Sequence, residues 1–112
     1  KQVADTFKGI YRVLKDNGKF YVSVPDMDIL CRQYLTVKGS KARFHIMRMM
    51  FGGQTDKYDF HYFGWNMFFL KGYLISAGFK NIERVRTFSL FNDTSDFEAN
   101  GEPISLNVIA HK

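Results

Sequence analysis

Arg12-Val13-Leu14-Lys15-Asp16-Asn17-Gly18-Lys19-Phe20-Tyr21-Val22-Ser23-Val24-Pro25-Asp26 joins the end of a helix to a buried strand through a tight turn. The rest of the chain can be placed against that strand. Lys15 closes an apolar pattern of helical period, and Asn17-Gly18 supplies residues that tolerate positive φ. Residues 20–24 are an apolar run of strand length that Pro25 stops. A helix feeding a strand in this way is the repeat unit of α/β proteins, whose ligands sit beyond the carboxyl ends of the strands. Pro25 and Asp26 therefore mark an expected working edge.

Upstream, Val3, Phe7, Ile10, Tyr11 and Leu14 share one face of a helix over residues 2–15. Downstream, Asp26 is placed to cap a second helix whose apolar stripe is Met27, Leu30, Cys31, Tyr34 and Leu35, with Asp28 favourable in its first turn. Lys38-Gly39-Ser40 breaks that helix. Ser40 can cap a third helix over residues 41–51, closed by Gly52-Gly53. Phe, Ile and Met occur almost all round this third helix, which predicts burial on more than one side, with Met47, Met49 and Met50 as adaptable core filler. Residues 52–65 mix aromatic and polar groups without a period and read as a loop. Asn66 caps a fourth helix carrying Phe69, Leu70, Tyr73, Leu74 and Ala77, and Gly78-Phe79 fits a left-handed glycine stop followed by an apolar residue. Residues 82–88 read as a strand, Ile104, Leu106, Val108 and Ala110 mark another by their alternation, and residues 89–103 connect the two.

The 112 residues are enough for one domain. A hydrophobic share of 46% and an aromatic share of 17% exclude a disordered tail. No apolar run approaches the roughly 18 residues of a membrane span, and the first residues lack the pattern of a signal peptide. A cytoplasmic location is the resulting expectation. Cys31 is the single cysteine, which excludes an internal disulfide and predicts a reduced, buried thiol. The formal charge of +5 favours anionic partners but is too small an excess to imply nucleic acid, and neither nucleic acid nor a membrane is expected as a partner. The chain opens with Lys1 inside a helical stripe already under way, so it is expected to begin within a larger protein.

The order of these elements, with Arg12-Val13-Leu14-Lys15 to Pro25 close to an R-V-L-K-P-G-G turn and its following strand, and with Ala77-Gly78-Phe79 ending a helix before two closing strands, resembles the C-terminal half of class I, Rossmann-like S-adenosylmethionine-dependent methyltransferases. The stretch from Phe44 to Trp65 is similar to a branch of predicted methyltransferases. The resemblance implies an α/β fold that is the C-terminal part of a methyltransferase sheet, residues 1–112 forming a single partial domain with an insertion at about 26–65. It also implies that the last strand lies between the other two and antiparallel to both, leaving one edge of the 20–24 strand open. Such an edge recruits another strand, so a homodimer through edge pairing or swapping is expected. The family's glycine-rich cofactor loop and its acidic partner residue are missing. Gly52-Gly53 follows a predicted helix instead of a strand and fails the test for a nucleotide loop. The implied S-adenosylmethionine site would lie largely before Lys1, and no cofactor-binding residue is assigned within the chain.

Methyl transfer needs a positioned acceptor and often a base. By that resemblance the candidates lie at the strand's carboxyl end and in the 52–65 loop: His61 and Asp59 for catalysis, and Asp26, Tyr62 and Trp65 for the acceptor, whose identity the sequence leaves open. Imidazole ordinarily changes charge near neutrality, which makes His61 the best base by chemistry. Each candidate also has a plainer reading. His61 can be a loop histidine held by the backbone, Asp26 a helix cap, and Tyr58, Tyr62 and Trp65 packing residues. Asp56, Asp59 and His61 lack the spacing of a metal site, and none is expected. Lys41, Arg43, His45 and Arg48 give the third helix a basic face, which supports an alternative function as a non-catalytic binding or dimerisation module for an anionic partner.

Overall fold

Helix α1 (Gln2–Val13) delivers the chain into strand β1 (Lys19–Pro25) through a turn in which Asn17 takes φ 62°. The computed structural model describes residues 2–57, 61, 63–89, 98–99 and 101–112. Helices α2 (Met27–Thr36) and α3 (Ser40–Phe51) follow, then α4 (Met67–Ala77), β2 (Lys80–Val85), a short hairpin of β3 (Glu98–Ala99) and β4 (Glu102–Pro103), and finally β5 (Ser105–His111). The result is a small mixed α/β domain with four helices and a three-stranded antiparallel sheet of order β1-β5-β2.

The closing strand runs between β1 and β2, antiparallel to both, with Val22 opposite Val108 and Glu83 opposite Ile109. Gly18 O accepts from the Lys112 N–H at 2.9 Å, and the Asp26 N–H donates to Ile104 O at 2.8 Å. By the alternation of an antiparallel ladder, the even-numbered residues of β1 bond to β5, and Lys19, Tyr21, Ser23 and Pro25 turn their backbone groups outward. Among the described residues no strand pairs with that outer edge. Only Trp65 lies beside its end, its carbonyl accepting from the Met27 N–H at 2.7 Å.

One face of the sheet carries the main core. Val22, Leu106, Val108 and Ala110 meet Phe7 of α1 and Leu70, Leu74 and Phe79 from α4 and its exit. Phe7 stands edge-on to Phe20 at 5.8 Å and stacks on Trp65 at 5.9 Å, which ties Trp65 to this core. The ends of α4 are fixed locally. Asn66 Oδ1 accepts from the Phe69 N–H at 2.8 Å, and Gly78 closes the helix at φ 113°. A Cβ at Gly78 would come within 3.0 Å of the Tyr11 ring, so both backbone angle and space require glycine there.

A second cluster of Leu30, Ile46 and Ile104 joins α2 and α3 beyond the carboxyl end of β1. Here several sequence expectations are corrected. Cys31 is exposed, not buried, because α2 turns Leu30 and Gln33 inward and leaves Cys31, Tyr34 and Leu35 to solvent. Gln33 is held in that orientation by Ala99 O, to which its Nε2 donates at 2.9 Å. Ser40 is the first residue of α3 and not its cap; Gly39, at φ 92°, holds the cap position without a side-chain bond. The same helix is buried along one side only, since Ile46 is its one buried residue. Strand β2 begins and ends earlier than expected; just past its end the Arg86 carbonyl accepts from Asn107 Nδ2 at 2.9 Å instead of continuing the ladder. The connection over 89–103 is not wholly irregular, as it contains the β3–β4 hairpin turning through Gly101 at φ 76°.

Candidate functional site

The carboxyl end of β1 opens on a cleft of about 360 Å³ lined by Ser23, Val24, Pro25, Met27, Met50, His61, Phe63, Gly64 and Trp65. A second hollow of about 270 Å³ continues past His61 along Ser23, Val24 and Pro25 to Met49, Ile104 and Ser105. His61 thus borders both. The outward turn of Ser23 and Pro25 adds their backbone groups to a wall that is otherwise mostly apolar and aromatic.

His61 is held from two directions. Its N–H donates to Phe51 O at 2.9 Å, and its Nδ1 lies 3.0 Å from Met49 O. A carbonyl only accepts, so Nδ1 carries the hydrogen of this contact, which leaves Nε2 as the ring's other nitrogen. An imidazole anchored in this way at a cleft has a second nitrogen that can, in its unprotonated form, accept a proton from a bound molecule. The sequence set these two readings of His61 against each other, and the geometry makes them compatible.

Asp26 sits at the same strand end but is otherwise engaged. Its side chain is 3% exposed; Oδ1 accepts from the Asp28 N–H at 3.0 Å and Oδ2 from Arg84 Nη2 at 2.8 Å. It caps α2 and anchors the end of β2, and it does not line the cleft. Trp65 lines the cleft with one edge while its ring packs among Phe7, Phe63 and Tyr73, at 4.5 Å from Phe63 and 5.6 Å from Tyr73. Asp59 and Tyr62 lie outside the described residues, as does Tyr58. The structure therefore brings His61 and Trp65 together at one cleft and places Asp26 behind it.

Arg84, Ser23 and Phe63 were not singled out from sequence. Arg84 finds Asp26 across 58 residues, a separation that leaves no local pattern. Ser23 could have been found from its parity in β1, which puts it on the outward edge. Behind the cleft, Arg32 pairs with Glu102 while Gln33 Nε2 donates to Glu102 Oε2 at 3.2 Å, fastening the hairpin to α2. The hydrogen bond from Arg32, and next that from Gln33, hold the Glu102 carboxyl below its ordinary value.

S-adenosylmethionine does not fit the described residues. Its nucleoside and carboxylate need a glycine loop after a strand and a free acid at a neighbouring strand end. Gly52-Gly53 follow α3, and the one acid at the end of β1 is Asp26, already bonded to Asp28 and Arg84. Among the described residues no cluster of three His, Cys, Asp or Glu could hold a metal. No protein-family model and no curated protein matches this chain.

Proposed function

We propose that this chain supplies the acceptor side of an S-adenosylmethionine-dependent methyltransferase, with the cofactor held by residues outside those described. The observation that carries the reading is the β1-β5-β2 order with β5 antiparallel to both neighbours, the order that the family resemblance implies for the closing strands. Strand order alone does not assign an activity. The cleft adds the chemistry: His61 Nε2 takes the proton of a protic acceptor, while Met27, Met50, Phe63 and Trp65 enclose the acceptor's apolar body and exclude water. The acceptor is accordingly a small or protruding group with one O–H or N–H and an apolar frame. The open edge of β1 is where the rest of a larger sheet would pair.

Calorimetric titration of S-adenosylmethionine into the complete coded protein tests the reading. Binding there, with none to the 112-residue chain by itself, is expected. A complete protein that binds no cofactor refutes the function, and micromolar binding by the 112 residues refutes the placement of the cofactor. In the complete protein His61→Ala should lower methyl transfer by about 10²–10⁴-fold with cofactor affinity unchanged, the range for loss of a general base.

A further inference from the structure

Helix α3 departs most from what its sequence predicts, and its exposed side has a defined chemistry. Phe44 is 59% exposed, Phe51 54% and Met47 36%. At 100° per residue these three fall within an arc of about 60°, turned away from Ile46 and Ala42 on the inner side. They form a ridge along the helix. Arg43 borders one flank of it, and Arg48 and Lys41 border the other; the helix contains no acidic residue. Among the described residues no carboxylate pairs with any of these cations. Arg43 lies over the Tyr34 ring at 5.7 Å, and Arg48 reaches the Gly53 carbonyl at 3.5 Å.

We infer that α3 lies on an anionic lipid surface, with Phe44, Met47 and Phe51 entering the acyl boundary and Lys41, Arg43 and Arg48 at the headgroups. Charge complementarity and the shape of the ridge select this partner. Long cationic side chains beside an apolar stripe can keep their charges at the interface while their stems and the stripe lie deeper. The ridge side chains themselves, Phe44, Met47 and Phe51, carry no hydrogen-bonding group with which to read base edges. A second copy would set cations against cations. Phe68, Phe69 and Ile75 on α4 are also exposed, but Lys71 is the single cation of that helix, against three on α3. Among the described residues no helix is long and apolar enough to cross a membrane, and a helix lying in the surface needs no such length. The inference is independent of methyl transfer.

Flotation with vesicles tests it, using phosphatidylcholine alone against phosphatidylcholine mixed with phosphatidylglycerol. The protein should float with the mixed vesicles only and be released in ~1 M NaCl, where the Debye length falls to roughly 3 Å. Arg43→Gln with Arg48→Gln should weaken partition about thirtyfold, and Arg43→Lys with Arg48→Lys should retain it. Phe44→Ser with Phe51→Ser should weaken it about tenfold or more while the protein still unfolds cooperatively, because both side chains are more than half exposed. Equal flotation with both vesicle types overturns the inference. So does partition that the Gln and Ser variants leave unchanged, or absence of vesicle binding in a protein that binds single-stranded RNA or itself through the same residues.

Discussion

Replacing Arg84 with alanine should destabilise this fold by more than its exposure suggests. Arg84 is 43% exposed, but its partner Asp26 is 3% exposed, so the pair is asymmetric. Removing the guanidinium strands a buried carboxylate with the Asp28 N–H as its remaining bond. Breaking a buried pair by removing one partner costs about 3–5 kcal/mol, and water reaching the Arg84 side reduces this to about 2 kcal/mol. Asp26→Asn is the milder change. The amide oxygen keeps the cap on α2 and Arg84 is released to solvent, for a loss of about 1 kcal/mol. In that background Arg84→Ala strands nothing and should cost no more than about 0.5 kcal/mol. The coupling between the sites is then about 1.5 kcal/mol, taking the 0.5 from the 2. Urea unfolding of the four proteins, followed by the fluorescence of the single tryptophan, Trp65, measures each value. An Arg84→Ala loss below about 0.5 kcal/mol, or the same loss with Asn at position 26, refutes the argument that Asp26 is held as a buried charge.

Gly78→Ala should cost about 2 kcal/mol in the same assay, because alanine would meet both the 113° φ and the Tyr11 ring; a loss under 0.5 would deny the strain. The Glu102 carboxyl, held below its ordinary 4.5 by Arg32 and Gln33, contributes stability fully above that value and loses it as the pH falls through the lower folded value. Glu102→Gln should therefore destabilise at neutral pH and converge on the parent in acid, and thermal melts showing a difference independent of pH would contradict this. Light scattering of the 112-residue chain at micromolar concentration should report a dimer formed through the outer edge of β1. Ser23→Pro, which removes one outward N–H without touching the β5 ladder, should give a monomer; a parent that is already monomeric rules the edge out.

What could be read from the sequence was set by short-range bonds. Asp26 and Asn66 cap residues two and three positions ahead, and Gly78 closes α4 with bonds to Ile75 and Leu74. Those boundaries are written in consecutive residues. The alternation of Leu106, Val108 and Ala110 likewise marked β5, though its central place came from the family resemblance and not from the pattern. The bonds that position the site are of another kind. Asp26 reaches Arg84 across 58 residues and Gln33 reaches Ala99 across 66, and neither pair has a local signature. For the cleft, the sequence named His61 and Trp65 by type and location, but it could not show how the histidine is anchored, because the Met49 and Phe51 carbonyls that hold it are contributed by backbone.

Helix α3 failed for a reason that bears on its use. Periodicity counts apolar residues and is silent on how many neighbours a helix has. With Phe44, Ile46, Met47, Met49, Met50 and Phe51 spread round its axis, α3 reads as a central helix. In the fold it sits at the periphery, packed mainly on α2, and one neighbour can cover one side. Ile46 fills that side, while Met49 and Met50 turn to the hollows beside His61. Phe44, Met47 and Phe51 are left as surplus that the domain's own core does not use. Each of these side chains is only partly buried and so leaves unrealised a part of the roughly 1.5–3 kcal/mol that full burial would contribute. A row of cations along both flanks would be misplaced in a core and is suited to an anionic surface. The same helix therefore carries Met49 and Met50 toward the candidate acceptor cleft and Phe44 and Phe51 toward the proposed lipid surface.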